Sequence, residues 1–185
     1  MIDSITSEAK DKMDKSVGAL KKDLQKIRTG RASLSILDDV RVDYYGTPTP
    51  LNQIASLSVP ESRLITIQPW DPSAVKEIEK AIMKSNLGLT PSSDGKIIRI
   101  TIPPLTEDRR KEIVKQVNKT CEDYRIAVRN IRRDANDSLK SLKKDGDASE
   151  DDVSKGFDEI QKLTDEHIKQ IDEIYKDKEK EILEV

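Results

Sequence analysis

From Ile113 the chain sets Val117, Cys121, Tyr124, Val128, Ile131, Ala135, Leu139 and Leu142 at steps of three and four residues, with charged side chains in the intervals. That is the period of an amphipathic α-helix. Thr106, followed by Glu107 and Asp108, is a good N-cap with acids in the positive first turn, and the pattern persists to about Lys144. At 1.5 Å per residue the helix is roughly 55 Å long. A helix this long with an unbroken apolar stripe is not stable alone in water, so it demands partners of comparable length.

Two further stretches supply them. Ile5, Ala9, Met13, Val17, Leu20, Leu24 and Ile27 predict a helix over about 3–29, roughly 40 Å long, with Gly30 as its stop signal. After the turn Asp145-Gly146-Asp147, the run Ser149-Glu150-Asp151-Asp152 reads as a capping box. It opens a third helix of roughly 50 Å marked by Val153, Phe157, Ile160, Ile168, Ile171, Ile174 and Ile182. The short Gly146 turn makes the second and third helices antiparallel neighbours. With 37% charged and only 3% aromatic residues, the expected packing is a narrow seam with solvated outer faces.

Between the first and second helices the pattern changes to period two. Val40, Val42 and Tyr44 alternate with polar residues, and the run from Gly46 to Pro50 reads as a turn. Ile54–Val59, Leu64–Gln68 and Lys96–Ile102 are further strand candidates, with a helix over about 73–87 between the last two. The expected fold is therefore α+β: a long antiparallel three-helix bundle made of residues 1–30 and 105–185, holding an inserted β/α/β domain, residues 31–104. Tyr44, Tyr45 and Trp70 lie in or beside strands and are expected to pack there. The two crossings combine permissive glycine with restricted proline, which marks Gly30, Arg31, Pro103 and Pro104 as a candidate hinge.

Charge narrows the function. The formal net charge is only -2, but it is a cancellation. Residues 109–133 hold nine Lys or Arg against three acids, whereas residues 145–185 hold fifteen acids against six lysines. On a helix, Arg125, Arg129, Arg132 and Asn136 fall within about 60° of one another, predicting an exposed ridge beside the apolar seam. Arginine in particular can grip phosphate bidentately or stack on a base, so the ridge is a candidate RNA-binding surface. The alternative is a solvated face paired with acids such as Glu122. Arg28 and Arg31 bracket Gly30 and extend the basic character there, unless they only complement a helix dipole.

Other chemistry is poorly supported. The sequence lacks a phosphate-cradling glycine loop, a G-x-S-x-G nucleophile motif and zinc-type Cys/His spacing; the single histidine, His167, lies near an apolar face. We therefore expect no catalytic residue, no metal and no cofactor: a binding protein rather than an enzyme. A lone cysteine, Cys121, precludes an intramolecular disulfide and suggests a reducing compartment. The N-terminal residues lack the apolar run of a signal peptide or membrane span, which makes cytoplasmic the expected location.

Four segments carry a family resemblance: Lys26 to Ser33, with its Arg28-Thr29-Gly30-Arg31 centre; Tyr44 to Leu51; Leu105 to Lys111; and Val128 to Asn136. Together they resemble the ribosome recycling factor family over essentially the whole chain, with Leu34 standing where the family usually has proline. The resemblance implies an L-shaped monomer that binds the ribosome after termination. Working with the GTPase elongation factor G, which supplies the nucleotide hydrolysis, it would separate the subunits, with no role for a membrane. It also implies that Arg28, Arg31, Arg129 and Arg132 face large-subunit ribosomal RNA, and position adds Arg133 and Asn136. A coiled-coil adaptor or a generic RNA-binding protein is the alternative.

Overall fold

The computed structural model describes residues 1–184 and divides into two compact units, Met1–Arg28 with Glu107–Glu184, and Thr29–Thr106. The first unit consists of three helices, α1 (Ile2–Gln25), α3 (Glu107–Asp145) and α4 (Glu150–Leu183), each packed against the other two. The second contains strands β1 (Arg41–Tyr44), β2 (Thr47–Pro50), β3 (Ala55–Glu61), β4 (Leu64–Pro69), β5 (Pro91–Ser93) and β6 (Ile98–Thr101), with helix α2 (Val75–Lys84).

In the bundle the three-and-four spacing becomes the buried seam. Met13, Leu20, Val117, Cys121, Val128, Leu139, Ile160 and Ile171 are all fully or nearly fully buried. Burial pushes the Cys121 thiol up, which removes it as a nucleophile at neutral pH. The α3–α4 corner closes as a Schellman motif: Gly146 sits at φ 80°, its N–H donates to Lys143 O and the Asp147 N–H to Leu142 O. Ser149 then caps α4 by accepting from the Asp152 N–H at 3.1 Å.

Helix α1 ends at Gln25, short of the predicted Thr29. Its last bonds tighten, Lys26 N–H to Asp23 O and Ile27 N–H to Leu24 O, and a turn narrowed in this way does not propagate an α-helix. Gly30, at φ 81°, therefore follows a short connector rather than terminating the helix. A β-carbon there would lie 3.1 Å from the Leu105 side chain, so this stretch and the one after Pro103-Pro104 touch through a glycine.

In the other unit, four antiparallel strands in the order β3-β4-β6-β5 turn Ile65, Ile67, Ile98 and Ile100 onto Val75, Ile78 and Ile82 of α2. A separate hairpin pairs β1 with β2, and here the expected turn over Gly46–Pro50 needs correction. The turn is only Tyr45-Gly46, both at positive φ (51° and 79°), as a two-residue type I′ hairpin requires. Thr47–Pro50 is a strand. Its register places Tyr44 opposite Thr47 next to the turn, so Pro48 and Pro50 fall at the positions that make no ladder bonds to β1. Proline's missing N–H is harmless there. Strand β5 was also not anticipated, because Pro91-Ser92-Ser93 has no apolar alternation and pairs only through its backbone.

A candidate nucleic-acid interface on the long middle helix

Arg129, Arg132, Arg133 and Asn136 come together on α3, where with Asn130, Asp137 and Lys140 they line an open concavity of about 260 Å³. Steps of three and four along one helix bring them onto a common face beside the seam residues Val128, Ala135 and Leu139. The cationic groups are held loosely. Arg129 Nη1 lies 3.3 Å from Glu122 Oε1, and Arg132 Nη1 donates to Gln161 Oε1 of α4 at 3.3 Å. An exposed ion pair such as Arg129–Glu122, like a single long bond to the neutral Gln161 amide, is worth little in water, so exchanging such partners for phosphate costs little.

Asn136 differs from its neighbours. Its Oδ1 is buried and has no hydrogen-bond partner, leaving an unused acceptor at the floor of a basic hollow. Asn130 and Lys140 were not singled out from sequence, although each lies three or four residues from a lining residue of the same face, Asn130 from Arg133 and Lys140 from Asn136.

Arg125 departs from the predicted ridge. Its side chain is only 13% exposed, with Nε and Nη2 each 2.8 Å from Asp172 Oδ1 of α4 and Nη1 3.0 Å from Glu122. Helical angle placed it correctly around α3, but α4 packs close enough at that level to enclose it. Arg125 is thus a link between helices, and the exposed arginines begin one turn later. Glu122, held by Arg125 first and Arg129 second, keeps its carboxyl below the usual range.

Arg28 lies just beyond α1 in the bundle unit, and Arg31 is an exposed residue of the sheet unit. His167 is a core residue: it is 2% exposed, with Nδ1 2.6 Å from Leu163 O and Nε2 2.7 Å from Asp14 Oδ1. Among the described residues no helix is long and apolar enough to cross a membrane.

Comparison with known proteins gives this arrangement its context. The sequence model for ribosome recycling factor matches residues 20–183. The ribosome-recycling factor of Desulfatibacillum aliphaticivorans is 65% identical, and that of Geobacillus kaustophilus 59%, each across the full length of both chains. A solution structure of the ribosome recycling factor superposes with a TM-score of 0.78 at 41% identity, covering 100% of this chain and 98% of the other. Another similar chain comes from models of the T. thermophilus ribosome recycling factor and the E. coli elongation factor G bound to the E. coli post-termination complex, with a TM-score of 0.65 at 46% identity over 99% of both chains. Whole-length identity of this degree, on the same fold, leaves one conclusion: the chain belongs to the ribosome recycling factor family.

Proposed function

We propose that this protein binds the post-termination ribosome in the cytoplasm and, together with elongation factor G, separates the subunits for a new round of protein synthesis. It acts as a translation factor rather than an enzyme; the GTP chemistry belongs to its partner. In this reading Arg28, Arg31, Arg129, Arg132, Arg133 and Asn136 contact large-subunit ribosomal RNA. The observation that carries it is the arginine-lined hollow on α3, whose side chains have only weak internal partners. Phosphate contacts of this kind position a protein on RNA without reading sequence.

Arg132→Ala tests it. Ribosome affinity should fall and the slope of log affinity against log salt should flatten by about 1, while helicity and melting temperature stay within error. Unchanged binding with a lower melting temperature would make Arg132 a purely structural residue.

The residues 1–30 with 105–185 would work as the anchored body, and residues 31–104 as the part that moves, turning about Gly30, Arg31, Pro103 and Pro104. The contact between Gly30 and Leu105 supports this, because at φ 81° and with Leu105 3.1 Å from its β-carbon position any side chain here would be both strained and crowded. A covalent cross-link between the two parts should leave binding intact and abolish subunit splitting; full splitting by the linked protein would refute the hinge.

A further inference from the structure

The β1–β2 hairpin carries a group that the RNA-facing reading does not use. Tyr45 occupies φ 51°, a left-handed conformation that strains a bulky residue and that glycine or asparagine would adopt more readily. Its ring is nevertheless 81% exposed, so it contributes almost nothing to the core. It stands edge-on to Tyr44, with ring centres 4.6 Å apart. Both tyrosine hydroxyls donate to Asp71 Oδ2, at 3.4 Å from Tyr44 and 3.2 Å from Tyr45, while Asp71 Oδ1 accepts the Ser73 N–H at 3.0 Å.

The residue before Asp71 is Trp70, the only tryptophan in the chain and 66% exposed. Strand alternation explains its direction: Ile65, Ile67 and Pro69 are buried, and Trp70 continues the opposite set. Tyr45 and Trp70, which their positions in or beside strands would place in the sheet packing, both lie in solvent.

Fold stability does not account for this cluster. Tyr44, half-buried, is sufficient to tie the hairpin to Asp71, and Asp71 needs only the Ser73 bond to cap the turn before α2. The bond to Ser73, followed by those from the tyrosines, holds the Asp71 carboxyl below the usual carboxylate range, so it is charged at neutral pH. No Lys or Arg among the described residues forms an ion pair with it, and neither 43–50 nor 64–75 contains a basic residue. Asp43, also exposed, adds a second negative charge to the hairpin.

We propose that Tyr45 and Asp71 form a docking site for an arginine side chain presented by a protein partner. A guanidinium is the group that can lie against an aromatic face and pair with a carboxylate at once, and lysine satisfies only the charge. RNA could stack on the rings, but the two carboxylates would repel its phosphates. The site lies outside the arginine-lined hollow and does not depend on that hollow's role.

Trp70 is the sole tryptophan and adjoins Asp71 in the chain, so its fluorescence serves as a local probe of this site. The full chain is titrated with a tryptophan-free nine-residue arginine peptide, the matching lysine peptide and an oligouridylate. The arginine peptide should shift Trp70 emission with an apparent affinity about three- to thirtyfold above that of the lysine peptide. Tyr45→Ala and Asp71→Asn should each remove most of that preference. Asparagine can still cap the turn, so an unchanged far-ultraviolet spectrum for Asp71→Asn confirms that the fold is kept. Equal responses to the two peptides, a response unaffected by Asp71→Asn, or a stronger response to the RNA would each overturn the assignment.

Discussion

The Tyr124 hydroxyl of α3 donates to Asp23 Oδ2 of α1 at 2.6 Å, joining residues 101 positions apart in sequence. That bond, followed by burial, pushes the Tyr124 hydroxyl up to about 12. A group whose value rises on folding stabilises fully below its ordinary value, here 10.0, and loses that contribution as pH rises through about 12. Ultraviolet titration of the four tyrosines should therefore contain a component near pH 12 that is missing in Tyr124→Phe. The same variant should lose about 1 kcal/mol, the modest figure reflecting partial exposure of the pair.

Asp14 has an exposed side chain, yet its removal should not behave like an ordinary surface change. It receives Nε2 of the buried His167, whose other nitrogen faces Leu163 O, and both oxygens are acceptors only. Asp14→Leu leaves a buried ring nitrogen unsatisfied and should cost about 1–3 kcal/mol. Asp14→Asn retains an acceptor and should recover most of the loss. Urea midpoints decide it, and equal midpoints for the two variants would show that the ring does not need the partner.

Two helical glycines should respond in opposite directions to alanine. Around Gly18 in α1 a β-carbon meets nothing within 4 Å, so Gly18→Ala should gain about 0.5–1 kcal/mol from helix propensity alone. At Gly156 in α4 it would lie 3.1 Å from Leu139 Cδ1 and 3.2 Å from Ile2 Cγ2, both in the packed seam. Overpacking of about 1–3 kcal/mol outweighs the propensity gain, and Gly156→Ala should melt lower. Thermal unfolding of the pair gives the signs; a rise at Gly156 would mean that the seam can yield.

Asp94 organises the β5–β6 turn by accepting the N–H groups of Lys96 and Ile97 at 3.0 and 2.9 Å and pairing with Arg99. The backbone bonds from Ile97 and Lys96 lead, and together they hold its carboxyl at about 2. Depressed on folding, Asp94 contributes in full above the ordinary 3.8 and loses that contribution as pH falls toward 2. The amide resonances of Lys96 and Ile97 should titrate with a midpoint near 2; one near 4 would place the carboxylate in water.

The long helices were legible because each repeats its apolar period over six or more turns, enough to outweigh any single polar residue. For the same reason Thr164 was not recognised as a core position, whereas His167 was expected beside the apolar face and is buried there; both are polar, each bonds a carbonyl one turn back in α4, and His167 gains Asp14 only when α1 packs against it. The hollow lined by Arg129, Arg132, Arg133 and Asn136 was legible in outline, since helical angle groups residues of one face. Angle says nothing about the height of the neighbouring helix, and so it failed at Arg125. In the sheet unit, proline composition concealed β2, because what permits prolines there is pairing register, and register exists only once β1 is beside it.

That register has a consequence for how the protein meets other chains. Along the outer side of β2 the groups that point away from β1 belong to Pro48 and Pro50, which offer carbonyl oxygens and no N–H. A strand approaching this side finds acceptors without donors, and continuous pairing fails. The β2 edge is thus protected from recruiting another strand and from seeding edge-to-edge aggregation in a crowded cell.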